Sequence, residues 1–222
     1  MIDLYNDILE VFKRHIDILF GISNIDFSAF KSNYKCALVF AVPHKELLSI
    51  NNYKEEKFES LICEARDYID VLLDEITTLL NAYKIQYYIP PVAQTSEETL
   101  IAPFSFKFAS VNAGLGWIGK NDVLITEKYG PRVRLSAILI NYDLPIGSPI
   151  TMSKCPSACN ICVNACPHTA LSGRQWNIGI KREELIDFRL CNQKRSLFLK
   201  THYRKNSCGL CMISCPLGIM KL

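Results

Sequence analysis

Cys155-Pro-Ser-Ala-Cys159-Asn-Ile-Cys162-Val-Asn-Ala-Cys166-Pro167, followed downstream by Cys208-Gly-Leu-Cys211-Met-Ile-Ser-Cys215-Pro216, is the part of this 222-residue chain that decides its class. The differences 208 − 159, 211 − 162 and 215 − 166 are each 49, so a C-x2-C-x3-C-P unit occurs twice with its internal spacing unchanged. Cys191 lies between the copies and is the eighth cysteine between Cys155 and Cys215. Only Cys36 and Cys63, of the ten cysteines, fall outside that region. Clustering of this kind points to metal binding, and disulfides are disfavoured in the reducing compartment expected for the chain.

The spacing has a physical basis. Cysteines two residues apart in a tight loop reach two corners of one cubane. A cysteine after x3, followed by proline, opens a short helix and points away, and in two-cluster ferredoxins it ligates the other cluster. Applied here, one [4Fe–4S] cluster takes Cys155, Cys159, Cys162 and Cys215, and the second takes Cys166, Cys191, Cys208 and Cys211. Cys155 and Cys159 are separated by three residues instead of the usual two, and Cys36 is the one upstream cysteine that could stand in for Cys155. A pair of zinc sites also uses eight cysteines, but zinc does not call for the x3-Cys-Pro element in both copies.

Upstream, hydrophobic periodicity predicts an amphipathic helix over Met1–Phe20, with Ile8, Leu9, Phe12, Ile16 and Leu19 on one side. Lys35–Val42 reads as a buried strand. Glu55–Tyr83 carries apolar residues at helical spacing for seven turns, with Cys63 off the stripe. Ile85–Ile89 reads as a strand, Pro103–Asn112 as a helix, and Asp122–Thr126 and Val133–Asn141 as further strands. Strands alternating with helices give an α/β (α+β) domain over 1–145. The Pro- and Gly-containing segment Asp143–Ser153 leads into a cluster domain over 146–222.

Gly114-Leu115-Gly116-Trp117-Ile118-Gly119 matches the dinucleotide pattern G-x-G-x-x-G, but a helix precedes it and a strand follows, the wrong context for nicotinamide binding. AGLGWIGKNDVLIT (Ala113–Thr126), then YGPRVRLSAILIN (Tyr129–Asn141), then the cysteine array, resembles the epoxyqueuosine reductase family and its reductive-dehalogenase relatives in order and approximate spacing. The resemblance implies a cobalamin-binding domain similar to the nitroreductase fold, joined to a two-cluster ferredoxin-like domain. It implies that electrons pass through the clusters to the cobalt. Gly114, Leu115, Gly116, Trp117, Ile118, Gly119, Lys120 and Asn121, with Arg132 and Arg134, would lie beside the corrinoid. The family carries its proposed proton-donating aspartate thirteen residues before this motif. Counting back from Ala113 reaches Leu100, with Glu97 and Glu98 nearby but offset. The sequence stops seven residues past Cys215 (222 − 215), before the family's C-terminal helical-repeat extension.

A net charge of +3 does not by itself call for nucleic acid or a membrane surface. The absence of a long apolar run or leader-like N-terminus leads to the expectation of a cytoplasmic protein. Lys194, Arg195, Lys200, Arg204 and Lys205 form an acid-free run between Cys191 and Cys208, which fits an acidic electron donor such as ferredoxin or flavodoxin, a tRNA contact, or a solvated loop. His44, His168 and His202 are weaker candidates. Trp117 and Tyr129 suit either a macrocycle or ordinary core packing.

Overall fold

In the computed structural model, residues 4–92, 100–193 and 208–219 are described. Glu97, Glu98, His202 and the basic run from Lys194 to Lys205 lie outside them. The chain divides into two compact units, one of Met1–Pro43, Ala65–Leu115 and Val133–Ile150, the other of His44–Glu64, Gly116–Arg132 and Thr151–Leu222.

The first unit is built on a four-stranded sheet, β1 (Leu19–Ser23), β2 (Cys36–Pro43), β3 (Tyr87–Tyr88) and β6 (Val133–Ile140), in the order β1-β2-β6-β3. Every pairing is antiparallel, so the architecture is α+β and not the parallel α/β form. Successive side chains of a strand point to opposite faces, and here both faces are covered. Leu38, Phe40, Ile138 and Ile140 face helices α1 (Leu4–Arg14) and α2 (Glu55–Ala82), where Ile8, Phe12, Ile69, Leu72 and Ile76 complete a core. Ala37, Val39, Ala137 and Leu139 meet Ala109 of α3 (Phe106–Asn112) together with Phe104 and Ala113. Two-sided burial explains why β2 is an unbroken apolar run instead of an alternating one.

The helix expected over Pro103–Asn112 starts at Phe106, the strands expected over Ile85–Ile89 and Asp122–Thr126 are confined to Tyr87–Tyr88 and Leu124–Ile125, and the N-terminal helix is shorter than expected. The helix expected over Met1–Phe20 ends at Arg14, and Ile16, assigned to its apolar side, is 80% exposed. The chain turns at His15, where Ile18 N–H donates to the His15 carbonyl at 2.9 Å, and returns as β1. Phe20 then stacks on Phe12 with ring centroids 4.0 Å apart. Apolar positions that fit a continuing helix are satisfied by a turn and a strand, a tertiary outcome that local spacing does not encode.

The turn is fastened to α2. The His15 ring nitrogens lie 2.6 Å from Tyr68 Oη and 3.0 Å from Glu75 Oε1, and Arg14 Nη2 donates to Glu75 Oε2 at 2.8 Å. The Arg14 hydrogen bond, opposed by burial and assisted by His15, holds the Glu75 carboxyl below its ordinary 4.5. A carboxyl depressed in the folded state adds stability above its unfolded pKa, and that stability is lost as pH falls through the folded value. Glu75→Gln should therefore melt below wild type at pH 7, with the gap closing stepwise below pH 4.5; thermal melts across that range check it.

Among its described residues, the second unit holds a small hairpin, β4 (Trp117–Ile118) with β5 (Leu124–Ile125), and short α-helical segments. These are α4 (Ile161–Asn164), α5 (Arg182–Leu185), α6 over residues 188–193, and α7 (Leu210–Ile213). Met212 and Ile213 pack with Phe58, Leu61 and Ile62 of the first turns of α2. Among the described residues, no helix is long and apolar enough to cross a membrane.

Candidate metal centre

The 49-residue repeat in sequence is also a repeat in backbone hydrogen bonding. Asn164 N–H to Asn160 O recurs as Ile213 to Gly209, Ala165 to Ile161 as Ser214 to Leu210, and Cys166 to Val163 as Cys215 to Met212. Each copy thus makes one helical turn, α4 or α7, that contains its second cysteine, Cys162 or Cys211, and ends just before its third. The turn carries the third thiol away from the first two.

Cys155, together with Cys159 and Cys162 of the first copy and Cys215 of the second, lines one pocket. Lys120 and Asn121 border it, and Ile125, Pro156, Pro216 and Leu217 close it with apolar atoms. Burial, then the charges of Cys215, Cys155 and Cys159, push the Cys162 thiol up to about 11. Burial raises Cys215 as well, with Cys155 and Cys159 adding to it and Arg132 opposing. Cys211 is raised first by burial and then by Cys208, Cys191, Cys162 and Cys166. Two groups of thiols therefore feel one another's charge, one around Cys162 and Cys215 and one around Cys211. Four thiolates cannot share a space closed by apolar atoms unless a cationic centre neutralises them. The donor set accordingly fits a thiolate-bound iron–sulfur cluster. Among the described residues, no three His, Cys, Asp or Glu side chains converge as on a single metal ion.

Three side chains of the glycine-motif region hold the cysteine loops. Lys120, 3% exposed, donates from Nζ to Ser157 O at 2.8 Å and Cys159 O at 2.9 Å, with Asn160 Oδ1 at 3.4 Å. Asn121 Nδ2 donates to Cys211 O at 2.9 Å. Arg132, 4% exposed, donates from Nη1 to Leu217 O at 2.9 Å and from Nη2 to Ile213 O at 3.1 Å and Cys215 O at 2.5 Å. These contacts are not evident from the motif. The available signal was the presence of cations within apolar sequence, since a buried charge requires partners.

The remaining candidates fall as follows. Gly114, Leu115 and Arg134 belong to the first unit, and Gly116–Asn121 and Arg132 to the second. A Cβ on Gly116 would sit 2.1 Å from Ile125 O, so glycine there lets the two strands of the hairpin approach. Trp117 is fully buried, with Lys154 Nζ 5.4 Å from its ring centroid, and Ile118 pairs with Leu124. Gly119 begins the tight loop that presents Lys120 and Asn121, its N–H donating to Val123 O. The motif follows helix α3 and enters a hairpin, which is not the strand–loop–helix context of a dinucleotide site. Cys36 lies in β2 of the first unit, where its thiol donates to Tyr142 O and burial pushes it up to about 12. Cys63 is exposed. Leu100 is buried at φ 51, a left-handed backbone unusual for leucine.

No protein-family model matches the chain. The epoxyqueuosine reductase of Listeria monocytogenes is 34% identical over 154 residues, which is 68% of this chain and 38% of that protein. The chain thus spans well under half that relative's length. The solved structure of an epoxyqueuosine reductase with a tRNA-Tyr epoxyqueuosine-modified stem loop aligns over 99% of this chain and 67% of its own, with TM-score 0.62 and 16% identity. A reductive dehalogenase, whose structure suggests a mechanism for B12-dependent dehalogenation, aligns over 89% of this chain and 29% of its own, with TM-score 0.62 and 16% identity. At such identities the structural likeness concerns the fold.

Proposed function

We propose that this chain, a divergent relative of the epoxyqueuosine reductases, is an oxidoreductase passing single electrons through two [4Fe–4S] clusters to a bound cobalamin. Cys155, Cys159, Cys162 and Cys215 hold one cluster, and Cys166, Cys191, Cys208 and Cys211 the other. Both belong to a ferredoxin-like region over 146–222. The observation that carries this is the pocket joining Cys155 and two thiols of one repeat copy, Cys159 and Cys162, to the third thiol of the other, Cys215. The clusters supply one-electron storage and transfer, and cobalamin supplies reductive chemistry at a substrate. Lys120, Asn121 and Arg132 hold the cysteine loops through their carbonyls, while Ile125, Pro156, Pro216 and Leu217 limit access of water.

For the corrinoid, the assigned residues are Gly114 to Asn121, Arg132 and Arg134. A small acidic donor such as ferredoxin or flavodoxin supplies the electrons in the cytoplasm. tRNA enters as a substrate class through the relative solved with a tRNA stem loop.

A second function, a stand-alone electron carrier, is favoured by two observations. Lys120, Asn121 and Arg132 are committed to the cysteine loops, and Leu100 stands where the family has its acid. Cobalamin titrated into anaerobically reconstituted protein decides between the two. Perturbation of the cobalamin spectrum at micromolar protein is the expected result, and an unchanged spectrum leaves the carrier.

A further inference from the structure

Two cations of the second unit are almost fully buried, and their hydrogen bonds go to neutral oxygens. Lys120 Nζ donates to Ser157 O and Cys159 O, with Asn160 Oδ1 at 3.4 Å. Arg132 donates to Leu217 O, Ile213 O and Cys215 O. Among the described residues, neither forms an ion pair with a carboxylate. Arg132 Nε is buried and bonds nothing. In the planar guanidinium its N–H lies on the same edge as one hydrogen of Nη2, the nitrogen that serves Ile213 O and Cys215 O. Burial disfavours the Arg132 charge, and Cys215 opposes that effect. Carbonyl dipoles ease a buried charge without cancelling it, so each cation still calls for a counter-charge. Both cations adjoin one set of thiols. Lys120 borders the pocket lined by Cys155, Cys159, Cys162 and Cys215, and Arg132 holds the segment that carries Cys215.

We propose that Lys120 and Arg132 are built-in counter-charges for the cluster on these four cysteines, and that they tie its loading to the stability of the surrounding loops. This rests on the two-cluster proposal above. A [4Fe–4S] core with four thiolates carries roughly two net negative charges, which match the two cations. The empty site holds the cations uncompensated. The loaded site neutralises them and gives the Arg132 Nε–H a sulfur acceptor. Loading is a ligand exchange: a preassembled cluster passes from four small thiolates to the four cysteines. Each cysteine thiol yields its proton to a departing thiolate as its sulfur bonds iron, and the core keeps its electrons.

Thermal melts of the empty protein and of protein loaded with a preassembled, thiolate-ligated cluster, together with the rate of iron release to a chelator, test this. Lys120→Gln keeps a hydrogen-bond donor and removes the charge; Lys120→Arg keeps the charge. Lys120→Gln should release the iron of one cluster about tenfold faster, while its empty form melts no lower than the empty wild type. Lys120→Arg should restore the slow release. A lysine that only holds the loop would lower both forms, so an empty Lys120→Gln protein melting below the empty wild type overturns the proposal, whether or not it loads. Failure to load with an unlowered empty melt is the same effect at its limit and supports it. In Cys162→Ala, which retains the other cluster, Lys120→Gln should leave release unchanged, and acceleration there overturns the assignment. A wild type that takes up no iron and sulfide overturns this proposal together with the two-cluster one. Two clusters in the wild type, with equally slow release from Lys120→Gln, overturn this one alone.

Discussion

Replacing Cys215 with alanine is expected to remove about half of the iron, and the cluster it removes is the one held mainly by the other copy of the repeat. Cys215 is close in sequence to Cys208 and Cys211, yet it lines the cavity with Cys155, Cys159 and Cys162. The helical turn of α7, which holds Cys211 and ends just before Cys215, redirects the Cys215 thiol, as the turn of α4 does for Cys166. A cluster left with three ligands in that cavity is labile, whereas the second retains all four. Iron content should fall from about eight to about four per chain, and the residual resonance signal should match that of Cys162→Ala. A residual signal matching Cys211→Ala instead would show uncrossed wiring.

The second large effect is expected at a residue that binds nothing. Gly130 has φ +56, and a Cβ there would lie 2.0 Å from Leu217 O and 2.7 Å from Leu217 C. Both atoms are backbone, and Leu217 O already accepts from Arg132, so the neighbour cannot step aside without disturbing the segment that carries Cys215. Gly130 also exchanges both backbone hydrogen bonds with Thr126. Left-handed strain and overpacking together should cost about 3 kcal/mol in Gly130→Ala, lowering the midpoint of thermal unfolding by roughly 6–12 °C for a domain of this size. Gly179→Ala is the control: it is exposed, its Cβ would meet only Asn177 Oδ1 at 3.4 Å, and its midpoint should stay within about 2 °C of wild type.

Features set by short-range spacing were legible in the sequence. The stripe of Ile69, Leu72, Ile76 and Leu80 gave α2 because burial on one face follows the helical repeat. The strand expected over Lys35–Val42, observed over Cys36–Pro43, was recognisable because both of its faces are covered. The repeat of 49 was legible as a pair of identical turns because the cysteine spacing and the backbone bonding have one cause. What escaped depends on distant partners. Leu19–Ser23 became a strand because β2 offers it an edge, and the two-residue strand β4 is too short to show any period, whereas β5 lies within the strand expected over Asp122–Thr126. Lys120 and Arg132 matched a motif associated with a corrinoid, but nothing local to them indicates that their charged ends bond the carbonyls of Cys159 and Cys215. Leu100 is read from the sequence only by counting back from the Ala113 motif, while its left-handed backbone emerges only in three dimensions.

The central claim is that eight cysteines hold two iron–sulfur clusters, and metal and acid-labile sulfide analysis of the anaerobically reconstituted protein tests it most directly. About eight irons and eight sulfides per chain, with broad absorbance near 400 nm, are expected. Two zinc ions per chain with no sulfide would contradict the assignment.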